Sequence, residues 1–230
     1  FSGLEARSQN RWPSLAFDVM EVNDLMAPFF SAGFYYKTFM WPRSFWEKLY
    51  EPAIRRAAGL GALSGQKNED AYEKAWAFCD LLVIGSGPAG LMAALLAARA
   101  GGEVILAEED ALMGGRLNAE CEDVGGKPGH VWARDVLAEL SALPNVRLMT
   151  RTTVTGAYDG GTFGALERVG LHVANPARDL PRECFWRIVA QHAVLASGAL
   201  ERPVAFPGND RPGIMMASAV RTYLNRYGVS

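Results

Sequence analysis

The chain has 230 residues, half of which are hydrophobic, and a formal net charge of −2 at pH 7. This length is enough for one large globular domain or for one and a half. The near-neutral charge without a basic stripe argues against nucleic-acid binding, and no apolar run approaches the roughly 20 residues that span a bilayer. The three cysteines, Cys79, Cys121 and Cys184, form no CxxC pair. The sequence therefore predicts neither a metal site nor a redox dithiol, and it favours the reducing cytoplasm.

Residues 1–65 are predicted to form a separate aromatic-rich N-terminal region that ends in a linker. Ten aromatic residues fall between Phe29 and Tyr50, and four prolines interrupt the region. Neither helical nor alternating periodicity persists, so we expect turns and extended pieces with brief helices at 44–50 and 52–58. Because so aromatic a segment cannot remain solvated, we expect it to pack on its own domain, another domain or a partner subunit.

The next segment combines a strand, a glycine turn and a helix. We expect a short helical approach at 71–79, a buried strand at 81–84 and a helix at 88–99. The turn between strand and helix matches the GxGxxG pattern through three glycines, Gly85, Gly87 and Gly90. In this context the first glycine permits the tight turn, the second lets a pyrophosphate approach the backbone, and the third lets the helix pack closely on the strand. The free N–H groups at the start of the helix then face a diphosphate.

A second predicted strand, at 103–107, ends in three consecutive acidic residues, Glu108, Glu109 and Asp110. Glu108 lies 23 positions after Gly85, close to the offset of about 20 at which a carboxylate hydrogen-bonds an adenosine ribose. Such a carboxylate repels a 2′-phosphate, so the sequence favours NAD or FAD over NADP. The two following acids are expected to strengthen that exclusion.

Downstream of the acids, Gly114 and Gly115 predict a second close approach of the backbone, near the phosphates or the ribose. Arg116 is expected to pair with a phosphate or with the acidic cluster. Residues 130–143 fit an amphipathic helix, because apolar residues recur at i, i+3, i+4 and i+7. A third strand is expected at 145–149.

Beyond residue 150 the alternation of strand and helix gives way to a predicted antiparallel meander. Its three strands are expected at 154–158, 166–173 and 185–189. A buried strand then runs into a turn of small residues that includes Ser197 and Gly198, where only small residues let the backbone pass close to a bound cofactor. A final helix is expected at 218–226.

The order of these motifs resembles the first dinucleotide domain of the FAD/NAD(P)-linked reductase fold. The expected class is therefore α/β: a three-layer Rossmann-like FAD/NAD(P)-binding fold with an antiparallel β-meander, and residues 66–230 are assigned to this dinucleotide-binding domain. More narrowly, five segments resemble the α subunits of heterotetrameric sarcosine oxidases. These segments are 6–14, 32–40, 50–59, 197–203 and 206–214. The resemblance also implies that the domain is incomplete and stops before a second, inserted dinucleotide domain.

This resemblance implies a function for the whole complex. Complexes of this family oxidatively demethylate N-methylglycine to glycine and formaldehyde or a folate-bound one-carbon unit, and they form hydrogen peroxide. The resemblance implies partner β, γ and δ subunits, FAD and FMN elsewhere in the complex, and a tetrahydrofolate-binding domain later in the α chain. It implies that the present domain holds NAD without passing hydride to it, so no catalytic residue is expected in this stretch.

The family's NAD contacts carry over to six positions of this chain. These positions are Ala89, Glu108, Glu109, Asp110, Arg116 and Val154. Two other interpretations stay open. In the first, the glycine motif holds FAD in a subunit of an opine, proline or amine dehydrogenase, because NAD and FAD share the adenosine diphosphate that the motif recognises. In the second, the chain is a scaffold that binds a dinucleotide for stability and docks partners through its aromatic region.

Overall fold

A computed structural model describes most of the chain. The described residues are 8, 11–29, 39, 41–59, 65, 67–68, 70–177 and 179–229. The chain divides into two compact units, Phe1–Asn68 and Glu69–Ser230. Much of the predicted aromatic segment, including residues 30–38, lies outside the described residues, as does much of the predicted linker. The functional assignment of the two regions stays a prediction.

The described part of the first unit consists of short helical segments. Its two α-helices are α1 (Val22–Met26) and α2 (Glu51–Ala57). Turns of 3₁₀-helix lie at Val19–Glu21, Ala27–Phe29 and Arg43–Phe45, and a π-helical turn at Trp46–Tyr50 runs directly into α2. Around 44–58, where the sequence predicts brief helices, the backbone is therefore helical.

The second unit is built on one six-stranded sheet. In chain order the described strands of this unit, including two outside that sheet, are β1 (Tyr72–Ile84), β2 (Val104–Ala107), the short β3 (Asp123–Val124) and β4 (Lys127–Pro128), β5 (Val146–Met149), β6 (Thr152–Tyr158), β7 (Thr162–Glu167) and β8 (Glu183–Leu195). The sheet order is β5–β2–β1–β8–β7–β6, while β3 and β4 form a separate two-stranded ribbon. β5, β2, β1 and β8 are parallel, and β7 and β6 continue the sheet antiparallel. The predicted α/β class with an antiparallel meander is thus confirmed.

Helices cover one face of the parallel strands. They are α3 (Pro88–Arg99) and α4 (Gly129–Ala142), whose apolar sides pack on alternate residues of β1 and β2 such as Val83 and Leu106. The intervening residues, Leu82 and Ile105, face the opposite side, where they pack with Ala165 and Ile188 of the meander. At Leu82 and Val83, β1 is therefore buried on both faces, as expected for a parallel strand between two layers.

After β8 the chain forms a short helical segment. This segment is α5 (Ala217–Arg221), and it continues through a π-helical turn at Thr222–Arg226. The helix expected at 218–226 therefore starts one residue earlier and widens in its second half. Across the described ranges, no helix combines the length and the apolar character that crossing a bilayer requires.

The prediction that residues 71–79 are helical is wrong. Residues 72–79 form the first part of β1, where they pair in parallel register with Glu183 to Ala190 of β8. Because β-structure depends on cross-strand packing more than on local preference, a distant partner strand decides the conformation here.

The meander also differs in detail from the expected pattern. Its second strand is β7 at 162–167 rather than 166–173. The third strand and the buried strand before Ser197 are one continuous element, β8, which pairs antiparallel with β7 and parallel with β1. The end of β8 is not buried: Leu195 is 76% exposed. This strand ties the meander to the parallel sheet and carries the chain to the glycine turn.

Candidate dinucleotide site

The glycine turn joins β1 to α3 and is packed against the end of β8. Gly85 has φ +99°, and a Cβ built on it would lie 2.5 Å from the carbonyl oxygen of Ala196. A Cβ on Gly90 would lie 1.9 Å from the carbonyl oxygen of Gly85 and 3.3 Å from the Ala196 Cβ. These two glycines are therefore required by backbone packing inside the turn, whether or not a ligand is bound.

Gly87 has a different environment. A Cβ built on it meets no atom within 4 Å, so the space above this residue is open. Gly87 is the N-cap residue of α3, and no side chain caps the helix. The first-turn amides of Ala89 and Gly90 have no intrahelical acceptor, and the positive end of the helix dipole lies there. The turn thus offers an open, electropositive cradle whose chemistry suits a diphosphate.

Glu108 lies across from this cradle at the end of β2, and it is only 8% exposed. Its Oε2 accepts hydrogen bonds from the Ser86 amide at 2.9 Å and from Ser86 Oγ at 2.6 Å. Its Oε1 accepts one from the Asp110 amide at 2.9 Å. A carboxylate has about four acceptor positions, so one position is left for a further donor such as a ribose hydroxyl.

Ser86 is a member of the site that the sequence reasoning missed. It is completely buried, and its Oγ accepts a hydrogen bond from the Gly114 amide at 3.0 Å while it donates to Glu108. A Cβ on Gly115 would lie 3.0 Å from the Gly87 Cα. The backbone at Gly114 and Gly115 therefore lies close to the glycine turn itself. The one sequence signal for Ser86 is a polar residue between the first two glycines of the motif.

Two of the other charged candidates pair through their side chains with residues outside the glycine turn, and the third, Glu109, is bonded there through its backbone. Asp110 forms a two-pronged ion pair with Arg226, at 2.5 Å and 3.0 Å. The Glu109 carbonyl accepts a hydrogen bond from Arg168 Nη2 at 2.6 Å. The Arg116 guanidinium pairs with Glu120 at 2.6 Å. Arg116 thus has an acidic partner, but one outside the cluster of residues 108–110.

The remaining candidates approach the site from the meander and from β8. The Thr152 amide donates to the Glu108 carbonyl at 2.8 Å, which places the start of β6 beside the end of β2. Val154 follows two residues later and pairs with Ala165. A Cβ on Gly85 would lie 3.1 Å from the Ser197 Cα, while Gly198, with φ +72°, has open space around it.

The candidate residues thus gather at the carboxyl ends of the parallel strands β1, β2 and β8. This is the edge at which open α/β sheets bind their ligands. Among the described residues, no group of three or more His, Cys, Asp or Glu side chains is placed to hold a metal ion. The arrangement suits an anionic nucleotide: amides and a helix dipole for the diphosphate, and a buried carboxylate for hydroxyl groups.

The Asp110–Arg226 pair predicts a pH dependence of stability. The hydrogen bond from Arg226 holds the pKa of Asp110 below its ordinary value. A carboxyl with a lowered folded-state pKa stabilises the fold fully above its unfolded pKa of about 3.9, and this contribution is lost as the pH falls through the folded pKa. Urea unfolding of the full-length protein should therefore show Asp110→Asn less stable than wild type near neutral pH, with the difference vanishing in acid. A difference that persists unchanged in acid would contradict this assignment.

Comparison with known proteins agrees with this geometry. The family described as FAD dependent oxidoreductase matches residues 80–159, which include the glycine turn and the acidic residues after β2. The sarcosine oxidase alpha subunit of Rhizobium meliloti (strain 1021) is 62% identical over 230 residues, which are 100% of this chain and 23% of that relative. An opine oxidase subunit of Agrobacterium tumefaciens (strain Ach5) is 35% identical over 160 residues, covering 66% of this chain and 30% of the relative.

A solved structure supports the fold. The L-proline dehydrogenase of P. horikoshii superimposes with a TM-score of 0.56 at 24% identity, over 73% of this chain and 32% of that one. The chain thus spans a third or less of each of these relatives. Together with the match to the FAD-dependent oxidoreductases, the identity along its whole length shows that the chain belongs to the family of sarcosine oxidase α subunits.

Proposed function

We propose that residues 66–230 bind NAD, as the nucleotide-binding part of the α subunit of a sarcosine-oxidase-like complex. That complex oxidatively demethylates N-methylglycine to glycine and forms hydrogen peroxide. The observation that carries the proposal is the open cradle at Gly87 facing the buried carboxylate of Glu108, in a chain 62% identical to a sarcosine oxidase α subunit. The proposal includes β, γ and δ partner subunits, FAD and FMN elsewhere in the complex, and tetrahydrofolate bound later in the α chain.

The residues present fit a dinucleotide. The amides of Ala89 and Gly90 would hold the diphosphate above Gly87, and the free acceptor position of Glu108 would receive a ribose hydroxyl. Val154 is assigned to the adenine. Ser197 and Gly198 let the backbone pass close to the ligand. A bound dinucleotide can supply a hydride acceptor, but we assign these residues binding and positioning, and none of them a catalytic role.

The choice of NAD over FAD rests on the six family contact positions, since both ligands present the same adenosine diphosphate. The alternative is an FAD-binding subunit of an opine, proline or amine dehydrogenase. It is favoured by the 35% identity to a subunit of an opine oxidase and by the FAD-dependent description of the matching family. The two functions differ in which dinucleotide this chain retains.

A cofactor-release experiment tests the proposal. The full-length protein should be purified in the complex that it forms and its subunits separated. The α chain should then be denatured and the released cofactors identified by absorbance and mass. We expect NAD from the α chain, with flavin released from the partner. Release of FAD from the isolated α chain would favour the dehydrogenase alternative, and release of no dinucleotide would contradict both.

A cytoplasmic location and a role in one-carbon metabolism belong to the same proposal. The location is supported by three free cysteines, Cys79, Cys121 and Cys184, because such thiols are typical of reducing compartments.

Burial raises the pKa of the Cys79 thiol to about 11, which keeps it protonated and unreactive.

A further inference from the structure

The helical segment at the end of the described chain reaches the acidic residues after β2. Arg226 donates to both carboxylate oxygens of Asp110, a residue 116 positions earlier. The side chains of Arg226 and Asp110 are only 21% and 36% exposed. Beside this pair, Asn225 Nδ2 donates to the Ala119 carbonyl at 2.8 Å. The two-pronged geometry makes this a strong, oriented ion pair rather than a loose surface contact.

Asp110 connects Arg226 to the buried carboxylate of Glu108. The Asp110 amide donates to Glu108 Oε1 at 2.9 Å, and the Asp110 carbonyl accepts from the Arg151 amide at 2.9 Å. The Asp110 carboxylate also accepts from the Ala111 amide at 2.6 Å. Asp110 is thus fixed through its side chain and through its backbone, and its backbone in turn orients Glu108.

We propose that Arg226 is a positioning residue of the dinucleotide site that sets its discrimination between a ribose and a 2′-phosphorylated ribose. The inference rests on the proposed function, because it concerns the ligand of the same site. By neutralising Asp110, Arg226 reduces the repulsion that this acid exerts on a 2′-phosphate. Exclusion of NADP then falls mainly to Glu108 and Glu109, whereas the sequence pattern predicts that Asp110 strengthens it.

A purely structural role for Arg226 makes a different prediction. If the ion pair did no more than dock the helical segment at 217–226, its loss would weaken the binding of all nucleotides by the same factor. If Arg226 compensates the charge of Asp110, its loss exposes an additional anion near the ribose. A probe with two further negative charges must then lose more affinity than a probe without them. The ratio of two affinities therefore separates the two roles.

The test uses ADP-ribose and its 2′-phosphate as probes, because NAD and FAD share the adenosine diphosphate half. Affinities would be measured by calorimetry on the full-length protein in its complex after removal of bound dinucleotide. For Arg226→Gln we expect the preference for ADP-ribose over the 2′-phosphate form to rise about three- to tenfold. Asp110→Asn should shift it in the opposite direction, since an unpaired guanidinium attracts the phosphate. Asp110→Asn also keeps the inference testable if Arg226→Gln fails to fold.

Two further variants serve as controls. Arg226→Lys keeps the charge and should retain the wild-type preference. Arg99→Gln removes a comparable two-pronged pair with Glu139 at the far end of α3, about 18 Å from its start, and should leave the preference unchanged. If Arg226→Gln lowered the affinity for both probes equally, or if Asp110→Asn left the preference unchanged, the role proposed for Arg226 would be overturned. The proposed function would stand in either case. A wild-type protein that binds neither probe would overturn the proposed function, and this inference with it.

Discussion

Replacing Gly90 with alanine is expected to destabilise the second unit by about 3 kcal/mol, at the upper end of the cost of overpacking. The new Cβ would lie 1.9 Å from the carbonyl oxygen of Gly85. Because that oxygen belongs to the backbone, no rotamer change can relieve the clash. Gly85 is itself confined, since a Cβ there would meet the Ala196 oxygen at 2.5 Å. Alanine's better helix propensity, worth about 1 kcal/mol, does not offset this overlap. Urea unfolding of the full-length protein would measure the loss.

Gly87→Ala is the matched control, because it adds the same methyl group in the middle of the same motif. Nothing lies within 4 Å of the built Cβ, and the backbone φ of −66° suits alanine. We expect stability within about 0.5 kcal/mol of wild type. The methyl group would occupy the open cradle, so dinucleotide affinity should fall at least tenfold, or about 1.4 kcal/mol. Full affinity in Gly87→Ala would mean that the diphosphate lies elsewhere.

Replacing Glu108 with alanine is expected to weaken dinucleotide binding by about 1–3 kcal/mol, the cost of leaving hydrogen-bond donors unpaired. This corresponds to a loss of about 5- to 150-fold in affinity. Stability should fall as well, because the carboxylate satisfies the amide and hydroxyl of Ser86 and the amide of Asp110. Calorimetric titration with NAD and urea unfolding, both on the full-length protein, would separate the two effects.

Ser86→Ala distinguishes a direct contact of Glu108 with the ligand from an effect through the fold. This change removes the hydroxyl that bridges Glu108 and the Gly114 amide, but it keeps the carboxylate. We expect a loss of stability with dinucleotide affinity largely retained. If Ser86→Ala and Glu108→Ala weakened binding equally, Glu108 would act by holding the turn and not by receiving the ribose.

Local sequence was sufficient to predict the elements around the glycine turn. The helix expected at 88–99 is present as Pro88–Arg99, because a proline suits the first helical turn. Its buried face was predicted only in part: Leu91 and Leu95 are buried, whereas Met92 and Leu96, expected on the same side, are exposed. The helix expected at 130–143 is present as Gly129–Ala142. Of the four apolar residues at the expected helical spacing, Ala133, Val136 and Leu140 are buried and Leu137 is half-buried. Such features depend on neighbours within a few residues, which the sequence displays directly.

The tertiary structure decided features that depend on distant partners. Residues 72–79 are a strand because β8 lies beside them, and no local pattern shows that pairing. Ser86 joins the site because β2 brings Glu108 to the turn. Arg226 reaches Asp110 across 116 positions, since the path of the chain over the sheet edge sets which charges meet. The sequence by itself predicted a dinucleotide site and placed the carboxylate of Glu108 directly after β2. The fold determined how that carboxylate is held and which cation balances its neighbour, because both depend on contacts between residues far apart in the chain.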